Sequence, residues 1–137
     1  MQFIDLTERV LECVRRSGVS NGMVNLQTRH TTTALLVNEN EPLLLEDMKQ
    51  RLQALAPRGL DYRHDDLEKR ANVPAGEPRN GHAHCKALFL RTSETLNIVN
   101  GCVQLGAWQR VFLVELDRAR PRAVSVMVLG TGHHPAG

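Results

Sequence analysis

Residues Ala34-Leu35-Leu36-Val37 form an unbroken apolar run, entered through Arg29-His30-Thr31-Thr32-Thr33 and left through Asn38-Glu39-Asn40-Glu41. A strand with one face in water alternates apolar and polar residues, whereas a run with no polar side needs cover on both faces. The chain must therefore place a layer on each side of this strand. Those layers must be aliphatic, because aromatics are only 4% of the residues while apolar residues reach 42%. With 137 residues, a single domain over 1–137 is expected, and a domain of that size buries roughly two thirds of its unfolded surface.

The flanking segments alternate between helical and strand-like periods. Phe3-Ile4 begins a short strand, and Thr7 is placed to cap a helix carrying Val10, Leu11 and Val14, which Gly18 ends. Ser20-Asn21-Gly22 reads as a turn, and Met23 to Val37 as one strand-like stretch. Pro42 opens a second helix through Leu45, Met48, Leu52 and Leu55, and Pro57 stops it. Residues 58–80 are charged and aperiodic. Asn80 either caps a short helix through Ala83, Ala87 and Leu88, or leads His82-Ala83-His84 into a strand; both stay open. Strands follow over Thr95 to Val99, Val103 to Asp117, broken by Gly106, and Ala123 to Leu129, the first pair joined by Asn100-Gly101, a strong hairpin signal. His133-His134 in the tail reads as a frayed end rather than a metal site.

Charge and cysteine usage remove several function classes. With 17 basic and 15 acidic residues the chain lacks the dense basic stripe that nucleic acid demands. No apolar run approaches the roughly 18 residues that span a bilayer, so no membrane partner is expected. Cys13, Cys85 and Cys102 have no metal-binding or paired spacing, and Met1 to Asp5 has no leader layout, which points to a reduced, cytoplasmic protein.

Four groups of residues carry chemistry. His30 with Thr31, Thr32 and Thr33 offers the hydroxyls and imidazole of an oxyanion pocket, although threonine also simply favours strands. Asn38-Glu39-Asn40-Glu41 suits a helix start, while Glu39 also suits a base or a Mg²⁺ ligand. His82 and His84 share a face on a strand but diverge by about 200° on a helix, and zinc normally needs three protein ligands. Glu115 shares a strand face with Val111 and Leu113, so an interior carboxylate there needs an arginine partner or a functional reason. Gln109 lies on that same face, and Trp108 reads as core.

The order of these blocks is more specific than any one of them. His30-Thr31-Thr32, Asn38-Glu39-Asn40-Glu41, Tyr62-Arg63-His64, Asn80-Gly81-His82-Ala83-His84, Leu105-Gly106-Ala107-Trp108-Gln109, Glu115-Leu116-Asp117 and Arg120-Pro121-Arg122 together resemble the YjbQ-like family, over about Phe3 to Gly130. The resemblance implies an α+β fold with a compact β-sandwich-like sheet core and two or three short helices, assembled as a homotrimer. It also implies an enzyme acting on a phosphorylated small molecule, with weak thiamine-phosphate synthase activity: a pyrimidine diphosphate joined to a thiazole phosphate, releasing pyrophosphate. In that scheme His30, Thr31, Glu39 and Glu115 are catalytic, and Thr32, Asn38, Asn80, Trp108 and Gln109 bind substrate. His30, His82 and His84 would hold a divalent metal, Mg²⁺ or Zn²⁺. A metal-dependent hydrolase using the histidines, or a non-catalytic trimeric metabolite-binding module, are the alternatives. Three positions depart from the family pattern: Arg91 stands near a usual glycine, Ala107 replaces threonine, and Gly81 replaces alanine, weakening its helix by up to about 1 kcal/mol.

Overall fold

The computed structural model describes residues 1–132, so the His133-His134 tail lies outside the described residues. Strands β1 (Gln2–Asp5), β2 (Val19–Thr28), β3 (Thr33–Glu39), β4 (Ser93–Val99), β5 (Cys102–Val103), β6 (Gln109–Glu115) and β7 (Val124–Gly132) form two sheets. Helices α1 (Thr7–Ser17), α2 (Pro42–Leu55) and α3 (Gly81–Ala87) complete the α+β chain. One sheet has the order β1-β6-β3 and the other β5-β4-β2-β7, with every pairing antiparallel.

The three-stranded sheet is the middle layer. Leu35, Val111 and Leu113 face the four-stranded sheet, meeting Val24, Leu26 and Ile98 in one cluster. Ala34, Phe112 and Val114 point the other way, onto Leu52 of α2 and Ala83 of α3. Residues adjacent on one strand thus enter opposite cores, as a period of two requires. The Ala34–Val37 run is covered on both faces as expected.

Several local expectations hold for the reasons given. Gly18 ends α1 at φ 69°. Asn100 and Gly101 both take positive φ, 51° and 76°, between β4 and β5. Glu41 caps α2, its carboxylate accepting from the Leu43 and Leu44 amides at 3.0 and 2.7 Å. Those two bonds hold its carboxyl below the usual carboxylate range.

Others are corrected. Thr7 does not cap α1: Asp5 Oδ1 accepts from the Thr7 amide, and the Thr7 hydroxyl instead accepts from Val111 N–H at 2.9 Å, pinning the helix to β6. Ser20-Asn21-Gly22 is no turn but the irregular start of β2 against β7. Met23 to Val37 breaks at 29–32, which is a connection rather than strand, so His30, Thr31 and Thr32 project from a loop. Residues 81–87 are helix, which separates His82 from His84. Trp108 is not core; it is 74% exposed. Cys13 and Cys102 are exposed and all three cysteines are free thiols.

Gly81 proves to be more than a weak helix residue. It is buried, and a Cβ there would lie 2.5 Å from Tyr62 Cβ and 2.8 Å from Cγ. Tyr62 is held by its own bond to the Pro57 carbonyl at 2.7 Å. Gly81→Ala is therefore expected to destabilise by about 1–3 kcal/mol despite better helix propensity. Pairing it with Tyr62→Ala should recover part of that loss in urea unfolding; strictly additive losses would show that the two residues do not compete for space.

Candidate functional site

The loop that breaks β2 from β3 opens onto a cavity of about 460 Å³, walled also by residues of the 63–80 segment, by His84 of α3, and by the turn after β6. Arg29, Arg70, Arg120 and Arg122 line it together with His30, His64 and His84, and Glu77 is the one carboxylate of that lining. Thr31, Thr32 and Asn80 add hydroxyls and an amide. Guanidinium groups stay charged at any working pH and match oxyanion geometry. Four guanidinium groups thus converge on one cavity, three of them paired with Glu77, Asp117 and Glu115.

Two of its arginines are held by buried acids, and Arg70 pairs with the part-buried Glu77 at 3.1 Å. Glu115, the unexpected interior carboxylate, accepts from Arg122 Nε at 2.5 Å and Nη2 at 2.8 Å, and from the Asp117 amide at 2.9 Å. Arg122 Nη2 also donates to the Thr32 hydroxyl at 3.2 Å. The arginine partner anticipated for Glu115 is therefore present within the same chain. With both oxygens occupied, Glu115 orients Arg122 rather than facing solvent. Asp117 does the same for Arg120, accepting from its Nη2 at 2.6 Å and from Asn80 Nδ2 at 3.2 Å. Asn80 stands at the α3 N-cap but makes no side-chain cap; Asp65 accepts the Gly81 amide instead, at 2.8 Å.

The histidines differ in what they can offer. His30 Nε2 accepts from the Ala123 backbone N–H at 2.9 Å. The ring proton then sits on Nδ1, and the imidazole can act as a donor. The His64 and His84 rings are in tilted contact, with centroids 4.6 Å apart and planes at 56°. Burial, then the neighbouring His64, holds His84 below the ordinary histidine value. His82 is a buried residue of α3, its Nδ1 3.2 Å from Lys86 Nζ, which also donates to the Ala56 carbonyl at 2.5 Å. Burial, then the Lys86 charge, likewise lowers His82.

These two shifts set a pH dependence. In the unfolded chain His82 and His84 protonate near 6.5, in the folded one only at lower pH. Their contribution to stability is therefore complete above about 6.5 and is lost as the pH drops through the lowered values. Urea midpoints should decline between about pH 7.5 and pH 5, and His84→Gln should flatten that slope. An unchanged slope in the variant would show that His84 does not carry the effect.

Not every expected residue reaches the cavity. Thr33 pairs with Glu115 at one end of the β3–β6 ladder, and Glu39 pairs with Gln109 at the other. Six residues at about 3.4 Å each separate the two ends by about 20 Å. Asn38, Glu39, Trp108 and Gln109 thus lie apart from His30, Thr31, Thr32, Asn80 and Glu115 within one protomer. The histidine metal set does not form there either. Among the described residues no three of His, Cys, Asp and Glu gather to hold an ion. His30 and His82 each have a nitrogen committed to another donor, and the helix turns His82 away from His84. As placed in one protomer, these donors do not fit a divalent metal. Conversely, none of Arg29, Arg70, Arg120 and Arg122 carries a binding role in the sequence reading, where Arg120-Pro121-Arg122 enters only as a family block. The signal for Arg122 was indirect: an interior Glu115 demanded an arginine.

Comparison with known proteins agrees with this architecture. The family described as UPF0047 protein YjbQ-like matches residues 1–131. A UPF0047 protein of Archaeoglobus fulgidus is 38% identical over 94% of this chain and 92% of its own length. A second, from Methanothermobacter thermautotrophicus, is 35% identical over 95% of this chain and 84% of its own. Among solved structures, a YbjQ-like protein of unknown function from Sulfolobus solfataricus superposes with a TM-score of 0.85 at 30% identity, covering 95% of this chain and 88% of that one. A hypothetical protein from Aeropyrum pernix gives 0.83 at 34% identity, covering 95% and 90%. With sequence match and fold in agreement along nearly its whole length, the chain belongs to the UPF0047 (YjbQ-like) family.

Proposed function

We propose that the protein is a small-molecule enzyme whose substrate is held by a phosphate group in the arginine-lined cavity. The observation that supports this most directly is the convergence of Arg29, Arg70, Arg120 and Arg122 around one small space, two of them fixed by buried acids. Such preorganised donors stabilise negative charge that develops on a departing phosphate or pyrophosphate oxygen without reorganising at the moment of reaction. His30 contributes through Nδ1–H, and Thr31 through its hydroxyl. An apolar groove of about 420 Å³, carrying Ile4, Val10, Leu26 and Val126, shares Arg120 and Arg122 with the cavity and suits the organic part of such a substrate.

The finer assignment, thiamine-phosphate synthase activity, rests on the family resemblance, as does a homotrimer. Self-association is supported by exposed Trp108, Met127 and Leu129. The three free thiols suit a cytoplasmic protein, and among the described residues no helix is long and apolar enough to cross a membrane. The experiment is titration calorimetry with pyrophosphate, followed by pyrophosphate release from the pyrimidine diphosphate and thiazole phosphate pair. Binding should be detectable in wild type and reduced at least about ten-fold in His30→Ala, the loss expected for one hydrogen bond to a charged group. Saturable binding with no turnover would leave a metabolite-binding module; absence of binding would end the phosphate reading.

A further inference from the structure

The apolar groove that shares Arg120 and Arg122 with the cavity has a lining of one chemical kind. It holds about 420 Å³, within the range of small-molecule sites. It lies between β1 and β7, edge strands of the two sheets, and α1 contributes Arg9, Val10 and Cys13. Ile4 of β1 and Val126 of β7 are its accessible walls, 39% and 37% exposed, over buried Leu6, Val10 and Leu113. The polar side chains of the lining are Arg9, Arg120, Arg122 and the Cys13 thiol. Guanidinium groups only donate, and a thiol accepts weakly. An organic group bearing N–H or O–H would leave those donors without a side-chain oxygen or nitrogen to accept them. A plain hydrocarbon meets no such penalty.

Arg120 marks where a charge belongs. Its side chain is 32% exposed while that of Asp117 is 2% exposed, so the guanidinium is anchored yet reachable. Asp117 takes Nη2, and among the described residues Nε and Nη1 remain for a ligand. We propose that the protein binds short-chain alkyl phosphates, the phosphate on Arg120 and Arg122 and the aliphatic chain in this groove. Charge complementarity places the head, and the aliphatic lining places the tail. The wall runs about 6 Å from Arg9 to Cys13 and about 7 Å from Val124 to Val126. That length suits a chain of a few carbons, too short to anchor a molecule in a membrane. The inference rests on the phosphate reading, not on the thiamine assignment, and names the class of organic group.

Titration calorimetry of the full chain with inorganic phosphate and with butyl, pentyl and hexyl phosphate tests it. Affinity should rise about two- to four-fold per methylene from butyl to hexyl phosphate, the gain of removing each from water. Val126→Asp puts a charge on the groove wall and should hold the whole butyl-to-hexyl rise below about two-fold. Should that variant fail to fold by circular dichroism, Ile4→Asp on the opposite wall takes its place. Inorganic phosphate binding beside three esters of equal affinity would overturn the groove and leave the phosphate site standing. A rise that persists in the variant would also overturn it, because the chain then lies elsewhere. If neither phosphate nor any ester binds, both readings fall.

Discussion

Arg122→Ala is expected to destabilise the protein by about 3–5 kcal/mol and to abolish anion binding. Its side chain is 8% exposed and that of Glu115 3%, so neither charge can fall back on water when the other is lost. Removing one partner of a buried pair leaves an uncompensated charge, which costs far more than the pair contributes when intact. The Thr32 hydroxyl would lose the same partner. Urea unfolding followed by circular dichroism measures the loss, since exposed Trp108 makes fluorescence a poor reporter. Replacing both members, Arg122→Met with Glu115→Leu, should restore most of the stability because no bare charge remains, yet binding should stay absent. A single variant within about 1 kcal/mol of wild type would show that the pair is not desolvated as described.

The second large effect is backbone against backbone. Gly22 sits opposite Gly130 where β2 meets β7. A Cβ on Gly22 would fall 2.0 Å from the Leu129 carbonyl oxygen and 2.6 Å from the Gly130 Cα. The crossing is close on both sides: Gly130 takes φ 156°, and a Cβ there would lie 2.2 Å from the Asn21 carbonyl oxygen. No rotamer relieves a clash with main chain, so β7 must move away from β2. Gly22→Ala should cost about 3 kcal/mol, the upper end for overpacking, and expose amides of β7 to hydrogen exchange. Gly101→Ala offers the contrast. Its Cβ meets nothing, so its penalty is only that of φ 76°, about 1 kcal/mol. Equal losses in the two variants would contradict a steric origin at Gly22.

Much of the framework was legible because it is governed by local rules. Periods of two and of 3.6 marked the strands and helices, Gly18 and Asn100-Gly101 marked chain reversals, and Pro42 and Pro57 bounded α2. Where the reading failed, a distant contact had overruled a local preference. Thr7 is a good capping residue, but Val111 N–H claimed its hydroxyl. Asn-Gly normally turns a chain, yet Asn21-Gly22 was kept extended because only glycine lets β7 approach so closely.

The candidate site divides along the same line. His30, Thr31, Thr32, Asn80 and Glu115 could be picked out from residue type and order, and Glu115 announced its need for an arginine from strand alternation alone. Which arginine answered, and that three others would join it, depended on where a charged 58–80 segment and the turn after β6 came to rest, information carried by no local period. Tertiary structure likewise sent Glu39 and Gln109 to the far end of the ladder, because antiparallel pairing fixes partners by register. Composition and spacing determine which groups a chain possesses and which way each strand residue faces. Only the packing of two sheets and a helical layer decides which of those groups share a cavity, since proximity across long sequence separations is a property of the assembled layers.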